Sequence, residues 1–250
     1  MFGRKLLCSC LQVIRAICPF HKLSKKLRCW AKMKAEPSNH LYVSWRGKLT
    51  DCHFLWLSSH FKADFSHDCK NAIIILGVPA DAHPKKYLKK AFPDINIDIR
   101  SGGRIEIAET SHGFPKDSII DCSEGACIKV GRNFSGWCAT QNDIGTRLAA
   151  KKSISIGDNC MFSRGISVKD NDGHDILDMA TGKLINPPEP VFIGDNVWLA
   201  ENVSVLKGAH IASDCICGAN ALVNKKFMEP NCILAGVPAK VIKTGVTWQR

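Results

Sequence analysis

His174 stands in the run Asp170-Asn171-Asp172-Gly173-His174-Asp175, and Asp178 follows in the same segment. An imidazole titrates near neutral pH and can take the proton of a hydroxyl as that oxygen attacks. A neighbouring carboxylate would fix its tautomer. Asp172 precedes His174 across the flexible Gly173, Asp178 follows it, and Asp175 is adjacent. On composition alone, a His in so polar a stretch reads as a solvated turn residue, and the acids as charge that keeps a surface loop in water. Trp198 is the second candidate. An indole offers one N–H donor and a large flat face, suited to walling a groove or to packing at a subunit contact. No Ser elbow and no Cys with an evident His partner stands out, so the chemistry expected is direct transfer without a covalent enzyme intermediate. Neither a GxGxxG nor a GxxxxGK[ST] phosphate loop occurs.

These residues need a scaffold, and the stretch Ile193–Met228 supplies one. It divides into six consecutive blocks of six residues. The first positions are Ile193, Leu199, Val205, Ile211, Cys217 and Val223. The fifth are Val197, Val203, Ala209, Cys215, Ala221 and Phe227. All are apolar, and the positions between are mostly polar or small. A period of six matches neither one amphipathic helix nor one flat strand. Repetition of so short a unit points to a parallel β-helix, with each block forming one face of a coil. The first position points inward, the fifth fits the corner, and Gly, Asn or Asp makes the turn. Ile128-Lys129-Val130-Gly131 and Ile154-Ser155-Ile156-Gly157-Asp158-Asn159 carry the pattern that returns as Ile193-Gly194-Asp195-Asn196. The register breaks between them, as it must where loops leave the coil. Residues 169–190 form one such loop, with Gly173, Gly182 and three prolines.

The repeats, with the closing Ala235–Lys243 (AGVPAKVIK), resemble the left-handed β-helix acyltransferases of the hexapeptide-repeat family. The Asp172–Pro187 stretch, the IGDNVWLA run and the final Trp248-Gln249-Arg250 resemble one subgroup, the O-acetyltransferases of bacterial capsule and lipopolysaccharide sugars, sialic acid polymers included. The likeness is dense from about Ile128 onward. It implies acetyl-CoA as co-substrate, with no metal, and a homotrimer whose active sites lie between subunits. It implies His174 as general base, with Asp172 or Asp178 orienting it, and Trp198 lining the site. It places the donor against Trp198, Ala200, Ala219, Asn224, Lys225, Lys240 and Lys243, with a backbone N–H near Ala200 for the oxyanion. Ala200 stands where the family usually has Gly.

The net charge of +11 is uneven. Residues 1–34 hold nine Lys or Arg and no acid, leaving the rest of the chain close to neutral. The basic character therefore belongs to one segment, and no nucleic-acid-binding motif is present. Leu7, Cys10, Leu11, Ile14, Ile17 and Cys18 recur there at helical spacing up to Pro19. The run is too short and polar to span a bilayer and lacks a cleavage site. A basic amphipathic helix can lie on an anionic membrane surface or pack on protein, and both readings stand. The 13 cysteines include Cys160, Cys215 and Cys217 at inward repeat positions, which reads as reduced thiols in a cytoplasmic protein. Three segments are expected: a basic one at 1–35, a mixed or cap region at 36–100 that is either an irregular first part of the coil or a small cap, and the β-helix at 101–250. Within 36–100, Glu36–Asn39 reads as a linker, Ala72–Leu76 as a strand and Pro84–Ala91 as a helix. Competing readings are an N-acetyl or small-molecule acetyltransferase and a non-catalytic scaffold at a membrane complex. A β-helix carbonic anhydrase would need three metal-binding His, and the repeats offer only His210.

Overall fold

The structure is a computed structural model and describes residues 38–45, 48–51, 61–65, 69–92, 95–137 and 145–250. Its strands form three sheets of nine, seven and seven, visited in turn by the chain. This is the parallel β-helix expected from the repeats, with the left hand that the family resemblance implies. Face one runs through Ile105, Ile128, Ile154 and Val191 in register. Face two stacks Ile97, Ile120, Leu148, Val168, Val205 and Val223. Face three stacks Phe162, Leu199, Cys217 and Leu234. The ladders are parallel except at two edges, Lys48–Asp51 on His40–Trp45 and Lys240–Thr244 on Cys232–Ala235.

All twelve first and fifth positions of Ile193–Phe227 are buried. Removing a side chain of that size from water is worth about 1.5–3 kcal/mol, so a stack of them dominates the fold. The phenylalanines Phe92, Phe114, Phe134 and Phe162 continue the interior downward, with successive ring centres 6.2, 4.7 and 5.0 Å apart. The turns carry the predicted residue types. Asn133, Asn159, Asn196, Asn202, Asp214, Asn220 and Asn231 all have φ between 52° and 61°. Asn and Asp tolerate that left-handed conformation because their short polar side chains bond locally. Gly157 is required for another reason: a Cβ there would meet Asp195 Oδ1 at 2.3 Å and the Gly194 backbone at 2.7 Å.

The sixth block departs from the pattern. Phe227 pairs with Ile211, a first-position residue, so the turn through Asn224–Lys226 is shortened and Phe227 does not fill a corner. The stack also extends below residue 101. His40–Trp45 and Ile73–Val78 join face one, and Lys62–Phe65 and Ile95–Ile99 join face two. Asn39 is buried rather than in a linker: its Nδ2 donates to Cys69 O at 2.7 Å and its Oδ1 accepts from Ala72 N at 3.0 Å. The expected helix is present at Pro84–Ala91 and lies against the first strand of face three, Thr110–Gly113. The basic segment at 1–34 lies outside the described residues. Among the described residues, no helix is long and apolar enough to cross a membrane.

Candidate active site

The segment carrying His174 leaves the coil at the corner between faces two and one. It follows strand Ser167–Lys169 and precedes strand Val191–Ile193. Its base is fixed by Asp170, which is fully buried. The two carboxylate oxygens accept the N–H groups of Lys151 and Lys152, each at 2.7 Å. A buried carboxylate is tolerated only when bonded in this way. Asn171 Nδ2 donates to Ala149 O at 3.1 Å, and Lys151 Nζ to Gly173 O at 3.0 Å. Beyond this base the chain folds back as a β-hairpin. Ile185 N donates to Ile176 O, Leu177 bridges Leu184, and Asp178 N donates to Lys183 O. The loop expected at 169–190 is thus ordered.

His174 is exposed at the foot of this hairpin. Asn186 holds it by the backbone, donating Nδ2 to His174 O at 2.9 Å. The same amide also donates to Asp172 Oδ2 at 2.9 Å, and its oxygen accepts from Ile176 N at 2.7 Å. Asp172 forms an ion pair with Lys207, which projects from the next coil at the same corner. The bonds from Lys207, then from Asn186, hold the Asp172 carboxyl below its ordinary pKa. Asp178 serves the hairpin turn, accepting from Thr181 N and Oγ1 at 2.7 Å, and these bonds lower its pKa as well. Among the described residues, neither carboxylate is hydrogen-bonded to the His174 imidazole. Both expected orienting residues therefore have other partners, and what they fix is the hairpin.

Trp198 opens the face-three strand one coil above, across strand Val191–Ile193 from the hairpin. It is half-buried, and its Nε1 donates to Ser163 Oγ at 3.4 Å, a long bond. Its ring lies 5.9 Å from that of Trp248, tilted by 46°. Ala200 follows at the corner leading to face two, and its N–H donates to Cys217 O at 2.9 Å. That amide is consumed by the coil, so an oxyanion donor near Ala200 would have to be another N–H. Glu201 O accepts from Asn220 N, so exposed Ala219 sits beside this corner. Asn224 and Lys225 are exposed one coil above Lys207 at the hairpin's corner, because Val205 and Val223 are paired. Lys240 and Lys243 are exposed on the antiparallel edge strand. The structure thus brings Asn224 and Lys225 to the corner of His174, and Ala200 and Ala219 to another. His174 and Trp198 stand at opposite edges of face one within a single chain.

Among the described residues, the buried coil cysteines stand apart from this site. Cys160 is buried, and that burial pushes its thiol up to about 12. Cys217 is raised further by the same cause. Cys122, Cys127, Cys160, Cys215, Cys217 and Cys232 are free thiols. His210 is half-buried against Phe192, 4.5 Å between ring centres, and burial followed by the charge of Lys226 lowers its pKa. Asp170, Asn186, Lys151 and Lys207 escaped the sequence reading. Asp170 had a signal, a lone acid closing a strand before a loop, whereas the partners of Asn186 and Lys207 lie too far along the chain to be read.

No family model matches the chain. A polysialic acid O-acetyltransferase of Escherichia coli O1:K1 is 36% identical over 132 residues, 52% of this chain and 41% of the relative. Another, of Neisseria meningitidis, is 41% identical over 103 residues, 41% of this chain and 48% of the relative. A probable acetyltransferase of Mycobacterium tuberculosis is 38% identical over 203 residues, 78% of this chain and 58% of the relative. The chain spans about half the length of the curated relatives it matches. The solved structure of the polysialic-acid-specific acetyltransferase NeuO aligns with a TM-score of 0.56 at 24% identity, over 75% of this chain and 82% of that one. The coil is that of the hexapeptide-repeat acyltransferases. In this chain the hairpin of residues 169–190 leaves the stack between strands Ser167–Lys169 and Val191–Ile193.

Proposed function

We propose that this protein transfers an acetyl group from acetyl-CoA to a hydroxyl of a bacterial surface polysaccharide sugar, sialic acid polymers foremost. The observation that carries this reading is an exposed imidazole, His174, on a hairpin locked at its base by buried Asp170. It stands on a coil similar to polysaccharide O-acetyltransferases.

The thioester supplies an activated acyl group. His174 takes the acceptor hydroxyl proton, the sugar oxygen bonds to the acetyl carbon, the carbon–sulfur bond breaks, and the imidazolium returns its proton to the departing thiolate. Trp198 Nε1, whose one hydrogen bond among the described residues is the long one to Ser163, can be redirected to the thioester oxygen. A preorganised donor of that kind is worth about 3 kcal/mol. Lys225, Lys240 and Lys243 are exposed cations suited to the donor's phosphates. Because His174 and Trp198 lie at opposite edges of one face, a second copy is needed to bring the two together. This supports the homotrimer, in which the apolar hairpin of one copy covers its neighbour. Cytoplasmic residence and contact of residues 1–34 with an anionic membrane surface belong to the same proposal.

The test is release of free CoA from acetyl-CoA by the purified protein with a panel of sialylated and neutral glycans, beside His174→Ala. One glycan drives turnover, and the variant loses about 100- to 10,000-fold while still binding acetyl-CoA. Wild-type turnover by the variant would remove His174 from the mechanism. Absence of turnover with every glycan would move the acceptor to small molecules or leave a scaffold.

A further inference from the structure

After strand Lys240–Thr244 the chain turns at Gly245, where φ is 66°, and runs as a strap along the corner between faces one and three. That corner is a column of left-handed residues from successive coils: Asn231, Asp214, Asn196, Asn159 and Asn133. Alternate strap residues take hold of it. Val246 N donates to Asn231 O at 3.0 Å, and Asn231 Nδ2 returns a bond to Val246 O at 3.3 Å. Trp248 Nε1 donates to Asn196 O at 2.7 Å. Arg250 Nη2 donates to the carbonyls of Asn133, Asn159 and Cys160 at 2.9, 3.0 and 3.1 Å, and Nη1 to Ser111 Oγ at 3.1 Å.

This attachment has a target beside it. Asn196 is two residues before Trp198, and the Trp248 ring that bonds to Asn196 O also contacts the Trp198 ring. The Trp198 backbone N–H bonds Cys215 O at 3.0 Å, but the only hydrogen bond of its indole among the described residues is the 3.4 Å one to Ser163. The indole is therefore weakly held by its own coil and braced by a ring whose position is set by short bonds. Tilted aromatic pairs at this separation attract one another.

We infer that the strap, through Trp248, sets the orientation of the Trp198 indole and so the productive geometry of the site, with Trp248 a positioning residue and Arg250 the anchor of the strap. The inference rests on the reading of Trp198 as part of the acetyltransferase site.

The experiment compares the full-length wild type with Trp248→Ala, Trp248→Phe, Arg250→Ala, Trp198→Ala and the double variant Trp198→Ala/Trp248→Ala. Readouts are kcat and KM with the active glycan, acetyl-CoA affinity by calorimetry, melting temperature, and the exciton-coupled circular dichroism of the tryptophan pair. Trp248→Ala lowers kcat/KM by roughly tenfold or more, since small misplacements of a positioned group are costly. Trp248→Phe restores most of that, because a ring still braces Trp198, although the exciton band is lost. Arg250→Ala falls between them. In the Trp198→Ala background, Trp248→Ala adds nothing, the mark of one residue acting through the other. A lower melting temperature with unchanged kcat and KM per folded molecule would make the strap merely structural and overturn the inference, as would losses that multiply in the double variant. A wild type without turnover on any glycan counts against the acetyltransferase reading itself. The positioning claim is then decided by acetyl-CoA affinity: Trp248→Ala weakens it only where Trp198 is present, or the claim fails.

Discussion

The coils between Ile193 and Val223 and the hairpin between Asp170 and Pro190 treat apolar side chains in opposite ways. In the coils, Ile193, Leu199, Val205, Ile211 and Val223 are all fully buried. In the hairpin, Leu177 is 58%, Ile185 60% and Met179 102% exposed. The coil is therefore stabilised by burial, with its backbone bonds satisfied between parallel strands. The hairpin is held by polar bonds at its foot, from Asp170, Asn186 and Lys207. This exposed cluster is the surface that the proposed trimer would cover. The difference teaches that the fold and the site depend on separate interactions and can be broken separately.

Leu199→Ala should test the coil most severely. It removes a fully buried side chain between Phe162 and Cys217 and should cost about 2–5 kcal/mol, read by denaturant unfolding. Leu177→Ala, the matching change in the hairpin, should stay within about 0.5 kcal/mol for the single chain. Equal costs would mean that the two regions do not differ as described.

Asp170→Ala comes next. It leaves the Lys151 and Lys152 amides without their acceptor at a buried position, which should cost about 1–3 kcal/mol. It should also speed amide exchange across 171–186 while sparing the coil. Uniform protection in the hairpin after this change would show that the foot is not its anchor.

Met179→Ser removes the most exposed large apolar side chain among the described residues. It should leave the melting of a single chain nearly unchanged, within about 0.5 kcal/mol, and weaken self-association measured by sedimentation. Unchanged association would remove the hairpin tip from the subunit contact.

The smallest effect concerns pH. Asp172 is held below its ordinary pKa by Lys207 and Asn186. Its contribution is therefore present above the unfolded carboxyl value, about pH 4, and is lost as pH falls through the lower folded value. Amide exchange at the hairpin foot should rise on acidification below that point, and Lys207→Met should weaken this dependence. A hairpin equally protected at acid and neutral pH would contradict it.

Much of the coil was legible because its rule is local. An inward residue every six positions and an Asn, Asp or Gly at each turn can be read from neighbours in the chain. The reading failed where the repeat loses residues at Asn224–Lys226, and it left the place of the early strands, such as His40–Trp45, open because they show no hexapeptide period. Their place in the stack comes from pairing with Ile73–Val78. At the site, His174 and Trp198 were visible as residue types in a repeat context. The partners of Asp172 and Asp178 were not, since proximity in sequence favoured His174 and the folded hairpin favoured Lys207 and Thr181.

The sequence by itself determined the period of the coil, the residues facing inward, the conformation of the corners and the segment that interrupts them. Each follows from side-chain size, polarity and backbone preference within a few residues. Tertiary structure alone decided that Asp170 is buried beneath Lys151 and Lys152, that Asn186 holds the His174 backbone, that the Ala200 amide is spent on Cys217, and that Trp248 reaches Trp198. Such contacts join residues that the coil brings to one corner from distant places in the chain, so spacing along the sequence does not encode them.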